Sequence, residues 1–173
     1  MKVDSICIGE LEENCYLIEK DNQYLLVDPG EDLEAILKFI SGKDVVGILI
    51  THSHYDHVGS LEELVKMYHY PVFDYDNLKE GKLNIGPFSM EIIFTPGHKE
   101  DCVCYYFRND KVMFTGDFLF RGSIGRCDLE GGNELEMVQS IEKIKMYDDD
   151  IVIYPGHGES SILGIEKKFN PYF

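Results

Sequence analysis

The sequence predicts an α/β (α+β) protein in which mixed β-sheets are covered by helices. Three observations lead there. Val45–Ile50 and Ile151–Tyr154 are nearly unbroken apolar runs, as strands need when both faces are covered. Two hairpins bring neighbouring strands together, one around Lys20-Asp21-Asn22-Gln23 and one around Arg108-Asn109-Asp110. Between the strands lie segments with apolar residues at helical spacing.

In chain order, Cys15–Glu19 and Tyr24–Val27 are the strands of the first hairpin, and Asp28-Pro29-Gly30 stops the second of them. Asp32–Ile40 carries Leu33, Ile36, Leu37 and Ile40 on one helical face, with Gly42 closing it. Ser60 with Glu63 forms a capping-box pattern that opens a helix to about Tyr68. Strands follow at Pro71–Phe73, Lys82–Ile85 and Phe88–Phe94, the last two joined at Gly86-Pro87. Val103–Phe107 and Lys111–Phe114 flank the second hairpin turn. Asn133 with Glu136 opens a helix whose expected apolar face is Leu135, Val138, Ile141 and Ile144. After the strand Ile151–Tyr154, Ser161–Phe169 reads as a closing helix. Neither repeats nor linkers interrupt this order, so residues 1–173 are expected to form one domain.

Composition narrows the function classes. The formal charge of −16 repels phosphate backbones and anionic lipids, so nucleic-acid and membrane partners are not expected. The N-terminus lacks the pattern of a secretory signal, and no apolar run approaches a bilayer span. Five cysteines, an odd number without a C-x-x-C pair, fit reduced thiols in the cytoplasm, the expected location. Cys102 and Cys104 share one strand face and are expected to be buried thiols.

The chemistry lies in four turns. His52-Ser53-His54-Tyr55-Asp56-His57 follows the strand Val45–Ile50 directly and puts four metal-competent side chains on one short loop. Three more turns have the same form: Thr95-Pro96-Gly97-His98, Thr115-Gly116-Asp117 and Tyr154-Pro155-Gly156-His157-Gly158. Each places an imidazole or a carboxylate at a strand end through a tight Gly or Pro turn, where the sheet lends rigidity. Five of the six histidines fall in these turns, with His69 the exception. Imidazole and carboxylate ligands suit zinc, iron or manganese. The set has no thiolate, unlike many closed structural zinc sites, which favours an open catalytic site over a purely structural metal.

With these motifs the chain resembles the metallo-β-lactamase superfamily, from Asn14 and Asp28-Pro29-Gly30 to Asn170-Pro171. The resemblance implies a four-layer αββα sandwich with the site along one sheet edge. It implies two divalent cations, zinc first, with iron or manganese as alternatives. His52, His54 and His98 would hold one cation, Asp56, His57 and His157 the other, and Asp117 would bridge them. Asp56 would also orient the reacting water.

Phe118–Asp128 resembles the corresponding segment of short glyoxalase II-like hydrolases, which are similar to hydroxyacylglutathione hydrolase without its C-terminal helices. Only Gly158–Phe173 follow His157, so those helices are expected to be absent. The implied reaction is hydrolysis of a small acyl thioester, S-lactoylglutathione or a related thiol ester. Two departures concern the pocket rim: Cys127 stands where the family often has Thr, and Lys99-Glu100-Asp101 replaces a small or Thr-rich stretch.

Asp28 and Arg126 are expected either to fix the imidazoles or to serve as ordinary turn and surface groups. Tyr55 is expected at the pocket or as an exposed loop tyrosine. Arg121 and Lys99 would draw an acidic acyl group, or simply be solvated. Competing readings on the same fold are a mononuclear-iron persulfide dioxygenase using His52, His98 and Asp117, a lactonase, and a phosphodiesterase. A non-catalytic metal-binding module is the reading from outside the enzymes.

Overall fold

The computed structural model describes residues 1–173. A first sheet is built from β1 (Lys2–Ile8), β2 (Glu13–Lys20), β3 (Gln23–Val27), β4 (Asp44–Leu49) and β5 (Val72–Phe73), in that order. The first two pairings are antiparallel, while β3–β4 and β4–β5 are parallel. The crossover from β3 to β4 is α1 (Leu33–Ile40), and between β4 and β5 run α2 (Tyr55–Val58) and α3 (Leu61–Tyr68).

The second half supplies β6 (Gly81–Ile85), β7 (Phe88–Phe94), β8 (Val103–Phe107), β9 (Val112–Gly116), β10 (Leu119–Phe120), β11 (Ser123–Ile124), α4 (Glu134–Ile144), β12 (Val152–Pro155), β13 (Ser161–Ile162) and α5 (Leu163–Phe169). Six of these strands form the second sheet in the order β13-β12-β9-β8-β7-β6, and β10 and β11 form a small separate hairpin. In the second sheet only β9–β12 is parallel, with α4 in the crossover.

Alternation along the strands makes four layers. Tyr16, Ile18, Leu25, Val27 and Leu49 point inward to meet Phe88, Met90, Ile92, Tyr105, Phe107 and Phe114 of the second sheet. Their neighbours Leu17, Leu26 and Ile48 point outward and pack under Ile36 and Ile40 of α1 and Leu64 of α3. On the far side Ile93, Tyr106, Met113 and Ile153 pack under α4 and α5. Strands covered on both faces therefore read as continuous apolar runs. Each fully buried large aliphatic side chain contributes roughly 1.5–3 kcal/mol.

Three sequence expectations are corrected, and one strand is added. The strand β1 was not foreseen, because Lys2–Ile8 mixes exposed and half-buried positions as an edge strand does. Ser60 precedes α3, but its side chain makes no capping bond. Its main chain sits at φ −103°, ψ 1°, and its N–H donates to Pro29 O at 3.0 Å, so the extended cap geometry is not adopted. Ser161–Ile162 pairs with β12 as a strand, and the closing helix begins only at Leu163.

The buried face of α4 is Met137, Ser140, Ile141 and Ile144, whereas Leu135 and Val138 are 75% and 57% exposed. A strict three-residue spacing drifts around a helix of about 3.6 residues per turn, so Leu135 and Ile144 lie on opposite sides. Asn133 does cap α4, accepting from the N–H groups of Leu135 and Glu136. No helix is long and apolar enough to cross a membrane.

Candidate metal centre

Strand ends from both sheets converge on one edge of the sandwich. The turn after β4 carries His52 and His54 and runs into α2 with Asp56 and His57. From the other sheet come His98 after β7, Asp117 after β9 and His157 after β12. Their donor atoms gather into neighbouring groups. His54 Nδ1 lies 3.0 Å from His52 Nε2 and 2.9 Å from His98 Nε2. Asp56 Oδ2 lies 3.1 Å from His157 Nε2 and 3.6 Å from His57 Nε2. Asp117 stands between the groups, with Oδ1 3.2 Å from His57 Nε2 and Oδ2 3.6 Å from both His98 Nε2 and His157 Nε2. All seven residues read from the sequence motifs thus meet at one place.

Close packing of the turns makes this convergence rigid. A Cβ on Gly156 would meet Asp117 Oδ1 at 2.3 Å, and one on Gly30 would meet Asp56 O at 1.8 Å. Only glycine admits such approaches.

Four imidazoles are held through their Nδ1 atoms. His57 Nδ1–H donates to Asp28 Oδ2 at 3.0 Å, His98 Nδ1–H to Arg126 O at 2.7 Å and His157 Nδ1–H to Leu11 O at 3.0 Å. Thr51 Oγ1 gives its proton to Asp28 Oδ2 at 2.6 Å, which leaves it to accept from His52 Nδ1–H at 3.2 Å. Each anchor selects the tautomer whose Nε2 lone pair faces the cluster.

The electrostatics fit a cation. Burial, then the neighbouring imidazoles, hold His52 well below the usual histidine range, and burial also lowers His54. Asp56 is held ionised: burial opposes this, but the His157 hydrogen bond and the nearby His57 bring it down to about 2. Asp117 is lowered likewise, against its burial, by His57. His57 and His157 are raised, because adjacent carboxylates outweigh their burial. His57 Nε2 and Asp117 Oδ1 are buried without a hydrogen-bond partner. A single proton on His54 Nδ1 can serve only one of the two imidazole nitrogens facing it. Such a convergence of lone pairs is what a divalent ion satisfies.

The surrounding residues divide. Asp28, buried, does anchor His57, and it also accepts from Thr51 N at 2.7 Å. Arg126 contributes only its carbonyl, since its guanidinium is engaged with Asp128 in solvent at 2.6 and 2.8 Å. Arg121 pairs with Glu159 at the surface, so its charge is taken. Tyr55 is 69% exposed on α2. Lys99 Nζ reaches Ser53 Oγ at 2.8 Å and Asp101 Oδ2 at 3.2 Å, beside His54. A cleft of about 520 Å³ opens there between Ser53, His54, Lys99, Glu100, Leu129 and Glu130.

Two contributors were missed. Thr51, between the strand Val45–Ile50 and His52, carried no sequence reading. Glu13 was not singled out, although an acid leading into the apolar run Cys15–Ile18 was the available signal. Glu13 is 1% exposed, and burial drives its carboxyl up to about 10.

Residues 8–84 and 74–157 match the family described as the Metallo-beta-lactamase superfamily. The chain belongs to the metallo-β-lactamase superfamily. It is 33% identical over 205 positions to the probable metallo-hydrolase YqgX of Bacillus subtilis, covering 99% of this chain and 97% of the relative. It is 30% identical over 207 positions to the hydroxyacylglutathione hydrolase GloC of Haemophilus influenzae, covering 99% and 98%.

Among solved structures, the BLEG-1 B3 metallo-beta-lactamase superposes with a TM-score of 0.94 at 28% identity, covering 99% of each chain. TTHA1623 in a di-iron-bound form superposes at 0.92 and 30%, covering 98% and 100%. ETHE1 from Myxococcus xanthus superposes at 0.90 and 25%, covering 99% of this chain and 84% of that one. The metallo-β-lactamase fold and the metallo-hydrolase class follow from these likenesses.

Proposed function

We propose that this metallo-hydrolase holds two divalent ions and cleaves a small acyl thioester. The carrying observation is the pair of donor groups, His52/His54/His98 and Asp56/His57/His157, with Asp117 between them, its Oδ1 3.2 Å from His57 Nε2 and its Oδ2 3.6 Å from both His98 Nε2 and His157 Nε2. His52, His54 and His98 would hold one ion, the other triad the second, and Asp117 both. Zinc fits the ligand set, and iron or manganese fit it too. Bound ions supply a Lewis acid for the carbonyl and a water acidic enough to ionise near neutral pH.

The protein's own groups do the rest. Asp56, ionised, accepts a hydrogen bond from the attacking water and orients it. Asp28, Thr51 Oγ1, Arg126 O and Leu11 O hold the rings so that each Nε2 keeps its lone pair inward. The cleft beside His54 has room for a small acyl chain. A thiolate leaves without help from a strong acid. The thioester class is supported by the likeness to GloC, and the same cluster suits lactone or phosphodiester hydrolysis.

The test has two parts. Metal per chain should approach two, and a panel of acyl thioesters should release thiol detectable by a disulfide reagent. His54→Ala with Asp117→Ala should abolish release, and full activity in that double variant overturns the reading. The ETHE1 likeness favours a second reading, a one-iron persulfide dioxygenase. One iron per chain with oxygen uptake on a persulfide, and no thioester cleavage, would establish it instead.

A further inference from the structure

We infer that Glu13 is a positioning residue of the Asp56/His57/His157 group, acting on His57 through its side chain and on His157 through its main chain. The inference rests on the two-ion reading above.

The side chain lies behind His57. Its Oε1 is 4.0 Å from His57 Nδ1, the atom that donates to Asp28 at 3.0 Å, so two carboxyl groups back one ring nitrogen. Glu13, Asp28 and His57 are 1%, 2% and 0% exposed. Both Glu13 oxygens lack a hydrogen-bond partner, which is a costly state for a buried carboxyl group. Gly30 makes the placement possible, because a Cβ there would lie 2.8 Å from Glu13 Oε2 and closer still to the Asp56 carbonyl.

The main chain acts on the other histidine. Glu13 forms an isolated antiparallel bridge with His157. Leu11 O accepts from His157 Nδ1–H, Asn14 N donates to Gly156 O at 2.7 Å, and Asn14 Nδ2 donates to Pro155 O and Gly158 O. One short stretch, Leu11–Asn14, therefore straps the His157 turn and wedges His57. The anchors of the other group come from elsewhere, Thr51 for His52 and Arg126 O for His98. Outer carboxyl groups that orient a ligating histidine commonly change metal affinity by about 10–100-fold. Glu13 should thus govern one of two ions and leave the other alone.

Zinc affinity, measured by competition with a chromophoric chelator, tests this in wild type, Glu13→Gln, Glu13→Leu and Asp56→Ala. Glu13→Leu should bind one zinc as wild type does and the other about tenfold more weakly, with Glu13→Gln, close in shape to the neutral carboxyl, weakening that same ion less. In the Asp56→Ala background, Glu13→Gln should not change the ion that remains. The Leu variant should melt no lower than wild type, since it removes an unpartnered polar group. Equal weakening of both ions with a lowered Tm would reduce Glu13 to a structural role and overturn the inference, as would unchanged affinity for both. A wild-type protein that binds only one ion overturns the two-ion reading and this inference together.

Discussion

Asp28 and His57 are joined by a hydrogen bond of 3.0 Å in which the buried carboxylate decides which ring nitrogen carries the proton. Asp28 also accepts from Thr51 N and Thr51 Oγ1, so it ties the strand end of β4 to α2. Asp28→Asn would turn an amide N–H toward His57 Nδ1 or leave Thr51 without its acceptor. The first outcome moves the ring proton to Nε2, where an ion should bind. The expected result is a 10–100-fold loss of affinity for one ion. A stability loss of about 1–3 kcal/mol should accompany it. Metal titration and urea unfolding check the two effects separately.

The exposure along α4 predicts a contrast between neighbours. Ile141 is 3% exposed and packs on the second sheet, so Ile141→Ala should cost about 2–5 kcal/mol. Leu135→Gln and Val138→Gln remove side chains that are 75% and 57% exposed and should stay within about 0.5 kcal/mol of wild type. Chemical denaturation of the three variants decides it. A large loss at Leu135 would mean that another surface covers this face.

Thiol reactivity should follow burial. Cys15, Cys102 and Cys104 are buried, and burial pushes the Cys104 thiol up to about 12. Cys7 is exposed, and Cys127 is intermediate. Under native conditions at pH 8, a disulfide reagent should modify Cys7 rapidly, Cys127 slowly and the other three only after unfolding. Rapid modification of three or more thiols would contradict this packing.

How far the sequence could be read depends on the kind of signal. His52 to His57 converge through local spacing, and His98, Asp117 and His157 each follow a strand through a Gly or Pro turn, so residue type and neighbours sufficed. The strands covered on both faces were legible because burial writes itself as an apolar run. The face of α4 was not, because residue type alone favoured Leu135 and Val138. What selects the face is tertiary: Gly97 brings Met137 against its turn, and Ser140 Oγ donates to Pro96 O at 2.7 Å. Glu13 and Thr51 escaped for the same reason, since their roles arise from contacts far along the chain. Arg126 shows the converse, for its useful atom is a carbonyl that any residue would supply.

Gly156 offers the sharpest local test of the metal centre. Its N–H donates to Gly116 O at 2.9 Å and its carbonyl accepts from Asn14 N at 2.7 Å, so its backbone is fixed on both sides. A methyl group there would sit 2.3 Å from Asp117 Oδ1 and 2.5 Å from His57 Cε1. Because the backbone cannot retreat, Asp117 and His57 must move, and both belong to the ion cluster. Gly156→Ala should therefore lose at least one ion per chain and most hydrolytic activity. Gly158→Ala is the control: a Cβ there meets nothing within 4 Å, though φ is +76°. It should cost about 1 kcal/mol of stability through backbone strain while keeping its metal. Metal content, thioester hydrolysis and melting of the two variants separate steric damage at the site from general strain, and a Gly156→Ala protein with full metal would refute the packing argument.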